Sequence, residues 1–212
     1  MNQDRHITLF HAPNSRSAGA RILVEELQAE HDLHVLNLKT RQQREPAYLA
    51  INPMGKVPAL RHGQTFVSEQ AAVYMYLAEL YPERGLSPAP GDPLRGAYLR
   101  WMVFYGSCFE PAIVDRAMNR DAGNESTSPY GSYEAVVNAV EQQLQPGPWL
   151  LGERFTAADA LWGSALGWVT GFKLMPASPA VLAYLERFQA RPAVRRAQAL
   201  DAELANSLDS QA

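Results

Sequence analysis

The stretch best suited to holding a ligand is Asn52-Pro53-Met54-Gly55-Lys56-Val57-Pro58-Ala59-Leu60. Two prolines and a glycine so close together mark a tight turn. Pro58 then opens a short strand, a position where its missing N–H costs nothing. An X-Pro bond favours trans by only ~0.5–1 kcal/mol, so Val57-Pro58 is a candidate cis peptide. A cis bond would turn the N–H and C=O of Val57 out of the sheet, where an extended peptide could pair with them like an added strand. The alternative is a structural turn with nothing bound. A second group of polar residues, Ser15 and Ser17, lies in the loop His11-Ala12-Pro13-Asn14-Ser15-Arg16-Ser17, directly before a helix. Serine hydroxyls there can cap backbone N–H groups. Cys108 lies in an apolar helical run, where burial would raise its pKa and make it a poor nucleophile.

The elements that must position these residues follow a recognisable order. Ile7-Thr8-Leu9-Phe10 is short and apolar and reads as a strand. Ala18 to Leu27 is a helix with Ile22, Leu23, Val24 and Leu27 on its apolar side. Leu33 to Leu38 is a second strand, and the strand-helix-strand order implies that the two strands are parallel. Pro46-Ala47-Tyr48-Leu49 is a helical turn with Pro at its first position. Pro58 to Arg61 and Thr65 to Val67 form a hairpin across His62-Gly63. Ser68 is placed to cap a helix from Glu69 to Tyr81. The sequence βαβ then ββα is that of a thioredoxin-like domain. His11, at a strand end, reads as polar and exposed.

Composition excludes several classes. With 212 residues the chain is long enough for one or two domains, and 47% hydrophobic residues supply sizeable cores. A net charge of −3 gives no basic surface, so no nucleic-acid partner is expected. Cys108 is the single cysteine, which rules out an internal disulfide framework. Residues 1–6 lack the apolar run of a signal peptide, and no run is long enough to cross a membrane. A cytoplasmic protein without membrane attachment is the resulting expectation.

Three motifs carry a family resemblance: Ala12-Pro13-Asn14-Ser15-Arg16-Ser17 after the first strand, Asn52-Pro53-x-Gly55-x-Val57-Pro58, and Ser68-Glu69-Gln70-Ala71-Ala72 opening a helix. In this order and spacing they are specific. The chain resembles the cytosolic glutathione S-transferases, of the bacterial, serine-type kind. The resemblance implies an α/β thioredoxin-like N-terminal domain followed by an all-α C-terminal domain, with boundaries at 1–81, a linker at 82–93 and the helical domain at 94–212. It implies a detoxifying transferase, usually a homodimer, that uses glutathione as substrate and needs no cofactor or metal. Ser15, two residues after the loop proline, is then the first candidate for activating the thiol. Counting back from Arg21 favours Ser17 instead. Val57 and Pro58 would pair with the cysteinyl backbone, Glu69 would meet the γ-glutamyl amine, and Gln43 and Lys56 would contact the glycyl end. Lys39 and Arg41 could also attract that carboxylate. Gln70 departs from the family pattern, where a serine is usual.

The second half begins beyond a Pro/Gly-rich linker at 86–93. Leu94 to Phe109 reads as a long helix, apolar all round at Trp101 to Tyr105 and kinked near Ser107 by Pro111. Tyr133 to Gln145 is a further helix. Thr156-Ala157-Ala158-Asp159 is an N-terminal capping motif that, by resemblance, starts the core helix of the second domain. Gly163, Gly167 and Gly171 form a small stripe along it for close helix approach. Ser178-Pro179 and Arg191-Pro192 each introduce a helix, and the tail after Leu200 reads as polar and frayed. A small hydrophobic electrophile is expected between the domains, against Tyr105, Cys108, Phe109, Trp168 and Phe172. Two alternatives stay open: a non-enzymatic binding or interaction module of the same fold, and a glutathione-dependent isomerase or peroxidase.

Overall fold

The computed structural model describes residues 5–210. In chain order the main elements are β1 (Ile7–His11), α1 (Ser17–Leu27), β2 (His31–Val35), α2 (Pro46–Leu49), β3 (Ala59–His62), β4 (Thr65–Val67), α3 (Gln70–Leu80), α4 (Arg95–Phe104), α5 (Glu110–Ala117), α6 (Tyr133–Leu144), α7 (Ala157–Gly171), α8 (Pro179–Ala190) and α9 (Pro192–Asp209). They form two compact units. One comprises residues up to Leu86 together with those from Ala190 onward, and the other runs from Ser87 to Gln189. The α/β thioredoxin-like arrangement and the helical second half are those expected from the sequence.

The first unit is built on a mixed sheet of order β2-β1-β3-β4. β1 is central and buried along its whole length, including the polar Thr8 and His11. It pairs parallel with β2, Leu9 opposite Leu33, and antiparallel with β3, Leu9 opposite Leu60. β2 lies earlier than expected, at 31–35 rather than 33–38. The reason is local: Asn37 Oδ1 accepts the Lys39 N–H at 3.0 Å, an Asx turn that bends the chain away from the sheet. α1 buries Ile22, Leu23, Val24 and Leu27 as its pattern demands.

The end of the chain departs from expectation. The sequence assigned 94–212 to the helical half and left the tail frayed. Instead α9 is an 18-residue helix lying along α1 within the first unit. Arg191 grips Glu26 through two nitrogens, and Arg196 reaches Glu25 at 3.2 Å. Val194 and Ala197 are buried on the same side of α9.

In the second unit, Trp162 of α7 meets the rings of Trp101, Tyr105 and Phe109 at centroid separations of 5.3, 5.8 and 4.8 Å. Its indole N–H donates to Trp101 O. The run 101–105 is not buried all round, because Val103 is 58% exposed. The kink expected near Ser107 takes the form of a π-helical turn over Tyr105–Phe109. Pro111 brings no N–H to the carbonyl four residues back, and widening the preceding turn accommodates its ring. Gly163 is required by packing: an added Cβ would lie 2.5 Å from the Phe188 ring of α8. Gly167 faces Leu185 more loosely, and Gly171 faces open space.

The capping motif at α7 is fully formed. Asp159 is buried, and its carboxylate accepts the Thr156 N–H at 2.8 Å, the Leu150 N–H at 2.7 Å and the Tyr184 hydroxyl at 3.0 Å. Burial pushes its pKa up while these donors oppose that rise. Removing the carboxylate would strand several buried donors at once, each costing about 1–3 kcal/mol. Asp159→Ala is therefore expected to destabilise the second unit by about 3 kcal/mol, read as a lower urea midpoint with the far-ultraviolet spectrum retained at zero denaturant.

Candidate active site

The turn before β3 is held by its own side chains. Asn52 is buried; its Nδ2 donates to Lys56 O at 2.9 Å and its Oδ1 accepts the Met54 N–H at 3.1 Å. The Tyr48 hydroxyl donates to the same Lys56 carbonyl. Burial pushes that phenol up to about 12, so it stays a donor at neutral pH. Gly55 has φ +58° and its Cβ position lies 2.7 Å from Gln43 O, so no larger residue fits. The Val57-Pro58 peptide is cis, as the sequence suggested. The β1–β3 ladder ends at Phe10 opposite Ala59, which leaves Val57 beyond the paired strand. Lys56 is exposed and Val57 half-buried, and Gln43 Oε1 is a buried acceptor with no hydrogen-bond partner. Lys39 pairs with Asp209 of α9 at 2.6 Å.

The two serines stand at the start of α1 with different surroundings. Ser15 is half-buried and Ser17 fully buried. Ser15 Oγ accepts the Ser17 N–H at 3.2 Å, and Ser15 O accepts the Ala18 N–H, so Ser15 is the effective cap of the helix. Its hydroxyl lies 2.7 Å from both Ala12 O and Ser17 Oγ. Ser17 Oγ accepts the Ala12 N–H at 3.0 Å and lies 2.9 Å from His11 Nδ1 and 3.0 Å from Ala12 O.

α3 meets this region at its N-terminus. Glu69, not Ser68, is the residue before the helix, and no side chain caps it. Glu69 has φ +67°, an uncommon conformation for a side chain of that size. Such local strain clusters at ligand-binding sites. Gln70 Nε2 donates to Arg16 O at 3.2 Å, which links the start of α3 to the serine loop.

Comparison with known proteins decides the family. The glutathione S-transferase N-terminal domain matches residues 5–79, and the glutathione S-transferase C-terminal domain matches residues 130–187. The chain belongs to the glutathione S-transferase family. It is 27% identical to glutathione S-transferase GstA of Escherichia coli O157:H7 over 198 residues, which covers 92% of this chain and 98% of that protein. The crystal structure of a glutathione transferase from Methylococcus capsulatus is similar at a TM-score of 0.77 and 32% identity, covering 92% of this chain and 98% of the other. A glutathione transferase homologue from Sulfitobacter, solved with bound glutathione, matches at a TM-score of 0.74 and 28% identity over 91% and 96% of the two chains.

Of the residues expected to face a second substrate, the structure separates two kinds. Tyr105 and Phe109 are buried in the Trp162 ring cluster. Trp168 and Phe172 are exposed and touch each other at 4.9 Å. Cys108 is only half-buried, with Sγ 3.5 Å from Pro129 O, so the expected deep burial of this thiol is not found.

Behind the two serines lie buried partners whose pairing is not apparent from the sequence. His11 is fully buried rather than exposed. Its Nε2 lies 3.0 Å from Asp201 Oδ1 on α9, although the N–H is too far off line to form a hydrogen bond. Arg21 of α1, also buried, contacts the same oxygen at 2.8 Å. The sequence held a signal for Asp201: it falls four residues after Ala197 and seven after Val194, on the buried stripe of α9. Removing one partner of a buried ion pair leaves the other charge uncompensated. Asp201→Ala is therefore expected to lower stability by about 3 kcal/mol, measured by urea unfolding. The exposed Asp209→Ala is expected to change it by less than about 1 kcal/mol.

Proposed function

We propose that this transferase activates the glutathione thiol with the hydroxyl of Ser15 for attack on a small hydrophobic electrophile. The observation that carries this reading is the contrast between the two serines: Ser15 is half-buried at the mouth of α1, whereas Ser17 is sealed inside. A thiol with a pKa near ~8.5 must lose about two units to be a thiolate at neutral pH, a preference of ~2.7 kcal/mol. A charge-assisted hydrogen bond from one hydroxyl supplies about 1.5–3 kcal/mol. The N-terminus of α1 adds ~0.3–1 kcal/mol. The two together meet the requirement without a cysteine in the loop.

The remaining contacts follow from the shape of a tripeptide with two carboxylates and one amine. Val57 and Pro58 would align the cysteinyl backbone, and Glu69 would receive the γ-glutamyl amine. Gln70 would meet the γ-glutamyl carboxylate, with its amide already oriented by Arg16 O. Gln43, with its unpaired buried oxygen, and Lys56 lie at the glycyl end. In the second unit, Trp168 and Phe172 offer accessible aromatic surface for the electrophile, and Tyr105, Cys108 and Phe109 are the further candidates. The homodimer and the cytoplasmic setting belong to the same proposal, the first open to sedimentation analysis. Among the described residues no helix is long and apolar enough to cross a membrane.

The test is the ultraviolet thiolate absorbance of bound glutathione against pH. Ser15→Ala is expected to raise the thiol pKa by one to two units, about a 10–100-fold loss of thiolate at neutral pH. Turnover with a model electrophile should fall in parallel. A shift in Ser17→Ala alone would move the role to Ser17. Glutathione binding with no thiolate in the parent would favour the non-enzymatic binding module, whose sequence mark is Gln70.

A further inference from the structure

Thiolate formation needs a destination for the thiol proton, and the structure contains a continuous path for it. From Ser15 Oγ the chain of polar atoms runs 2.7 Å to Ser17 Oγ, then 2.9 Å to His11 Nδ1. The far side of the same ring, Nε2, is 3.0 Å from Asp201 Oδ1. Both His11 and Ser17 are fully buried, so no bulk water competes along the path. Asp201 stands beside Nε2 without an in-line hydrogen bond. A carboxylate only accepts, so the tautomer that suits this neighbour has its proton on Nε2 and its lone pair on Nδ1, beside Ser17. The order of groups is serine, serine, histidine, aspartate.

We propose that His11 receives the glutathione thiol proton through Ser15 and Ser17. The inference rests on the reading that Ser15 faces the thiol. The S–H bond breaks and its proton bonds to Ser15 Oγ. The original Ser15 proton passes to Ser17 Oγ, and the original Ser17 proton passes to His11 Nδ1. The products are a thiolate and an imidazolium, with the two serines neutral again and nothing oxidised or reduced. Every hydrogen bond in the chain has then reversed: His11 donates to Ser17, Ser17 to Ser15, and Ser15 to the sulfur anion. Ala12 O, within 3.0 Å of both hydroxyls, is the competing acceptor in the resting state and is released as the chain reverses.

Two charged groups face His11. Asp201 of α9 places a carboxylate oxygen 3.0 Å from Nε2. Arg21 of α1 contacts the same carboxylate oxygen at 2.8 Å. β2 places Val35 opposite His11, and the β3 ladder stops one residue short of it, so the sheet brings no further charge in register. His11 never touches the substrate; it acts through the serines as a positioning and relay residue.

Proton accounting tests the relay in the intact protein. Glutathione is added in weak buffer near neutral pH, with thiolate absorbance and an indicator dye read together. S-methylglutathione, which has no thiol proton, sets the baseline. The expected result for the parent is thiolate with far less than an equivalent of proton released. His11→Gln and Ser17→Ala should each lose about tenfold in thiolate near neutral pH, one unit of apparent pKa. Any thiolate they retain should appear with an equivalent proton in the buffer. One proton released per thiolate in the parent would overturn the relay, even if the buried variants fail to fold. An unchanged thiolate signal in folded His11→Gln would also overturn it. Loss in Ser15→Ala with no loss in His11→Gln would sink the relay alone. An unaffected Ser15→Ala would instead remove the serine reading beneath it.

Discussion

Arg21 and His11 point inward from α1 and β1 at a place that water scarcely reaches, and Asp201 on α9 brings one carboxylate to both. Burying a lone guanidinium would cost several kcal/mol, so this corner of the first unit cannot be dry without α9. The start of α1 inherits its position from that arrangement. Arg21 sits about one turn after Ser17, so whatever fixes Arg21 also fixes the two serines. The site chemistry at one end of the chain thus depends on a helix supplied by the other end.

Two backbone constraints complete the setting. The turn at Gly55 places Gln43 O where a side chain would be, and Asn52 with Tyr48 ties down the Lys56 carbonyl. Glu69 is held at positive φ immediately before α3, while Gln70 ties that end to Arg16 O. None of these interactions is individually large, at about 0.5–1.5 kcal/mol for a typical hydrogen bond. Their common effect is to order the turn before β3 and the start of α3 before any ligand arrives. Binding groups that are already ordered lose less entropy when a tripeptide docks.

The parts of this fold that were legible in the sequence are those governed by short-range rules. The βαβ and ββα order, the cis Val57-Pro58 peptide and the Thr156–Asp159 cap each depend on residues within a few positions of one another. What escaped was set by tertiary packing. His11 looked like a polar strand end because its partner lies 190 residues away, and only the approach of α9 makes burial tolerable. The polar composition after Leu200 suggests fraying, yet Asp201 lies in that stretch and pairs with Arg21 of α1. Cys108 and Val103 differ from expectation for the converse reason: an apolar stretch does not reveal which face meets the core, and at Cys108 the π-helical turn also shifts the register.

The difference between the serines has a further physical consequence. A hydroxyl is both donor and acceptor, so two of them in series can carry a proton without either holding a charge. A cysteine in the loop would instead form a thiolate of its own and direct chemistry towards mixed disulfides. The chain has one cysteine, and it stands in the second unit. With Ser15 half-buried and Ser17 sealed, the proposed tasks separate: the outer hydroxyl would meet the ligand, and the inner one is held by Ala12 N and His11. Because Ser17 Oγ also takes the Ala12 N–H, its orientation is tied to the end of β1. The central strand of the sheet thereby sets the direction in which the outer hydroxyl's partner points. On the proposed reading, such a site would gain its anion preference from ordered neutral groups, with His11 and Asp201 kept one layer behind them.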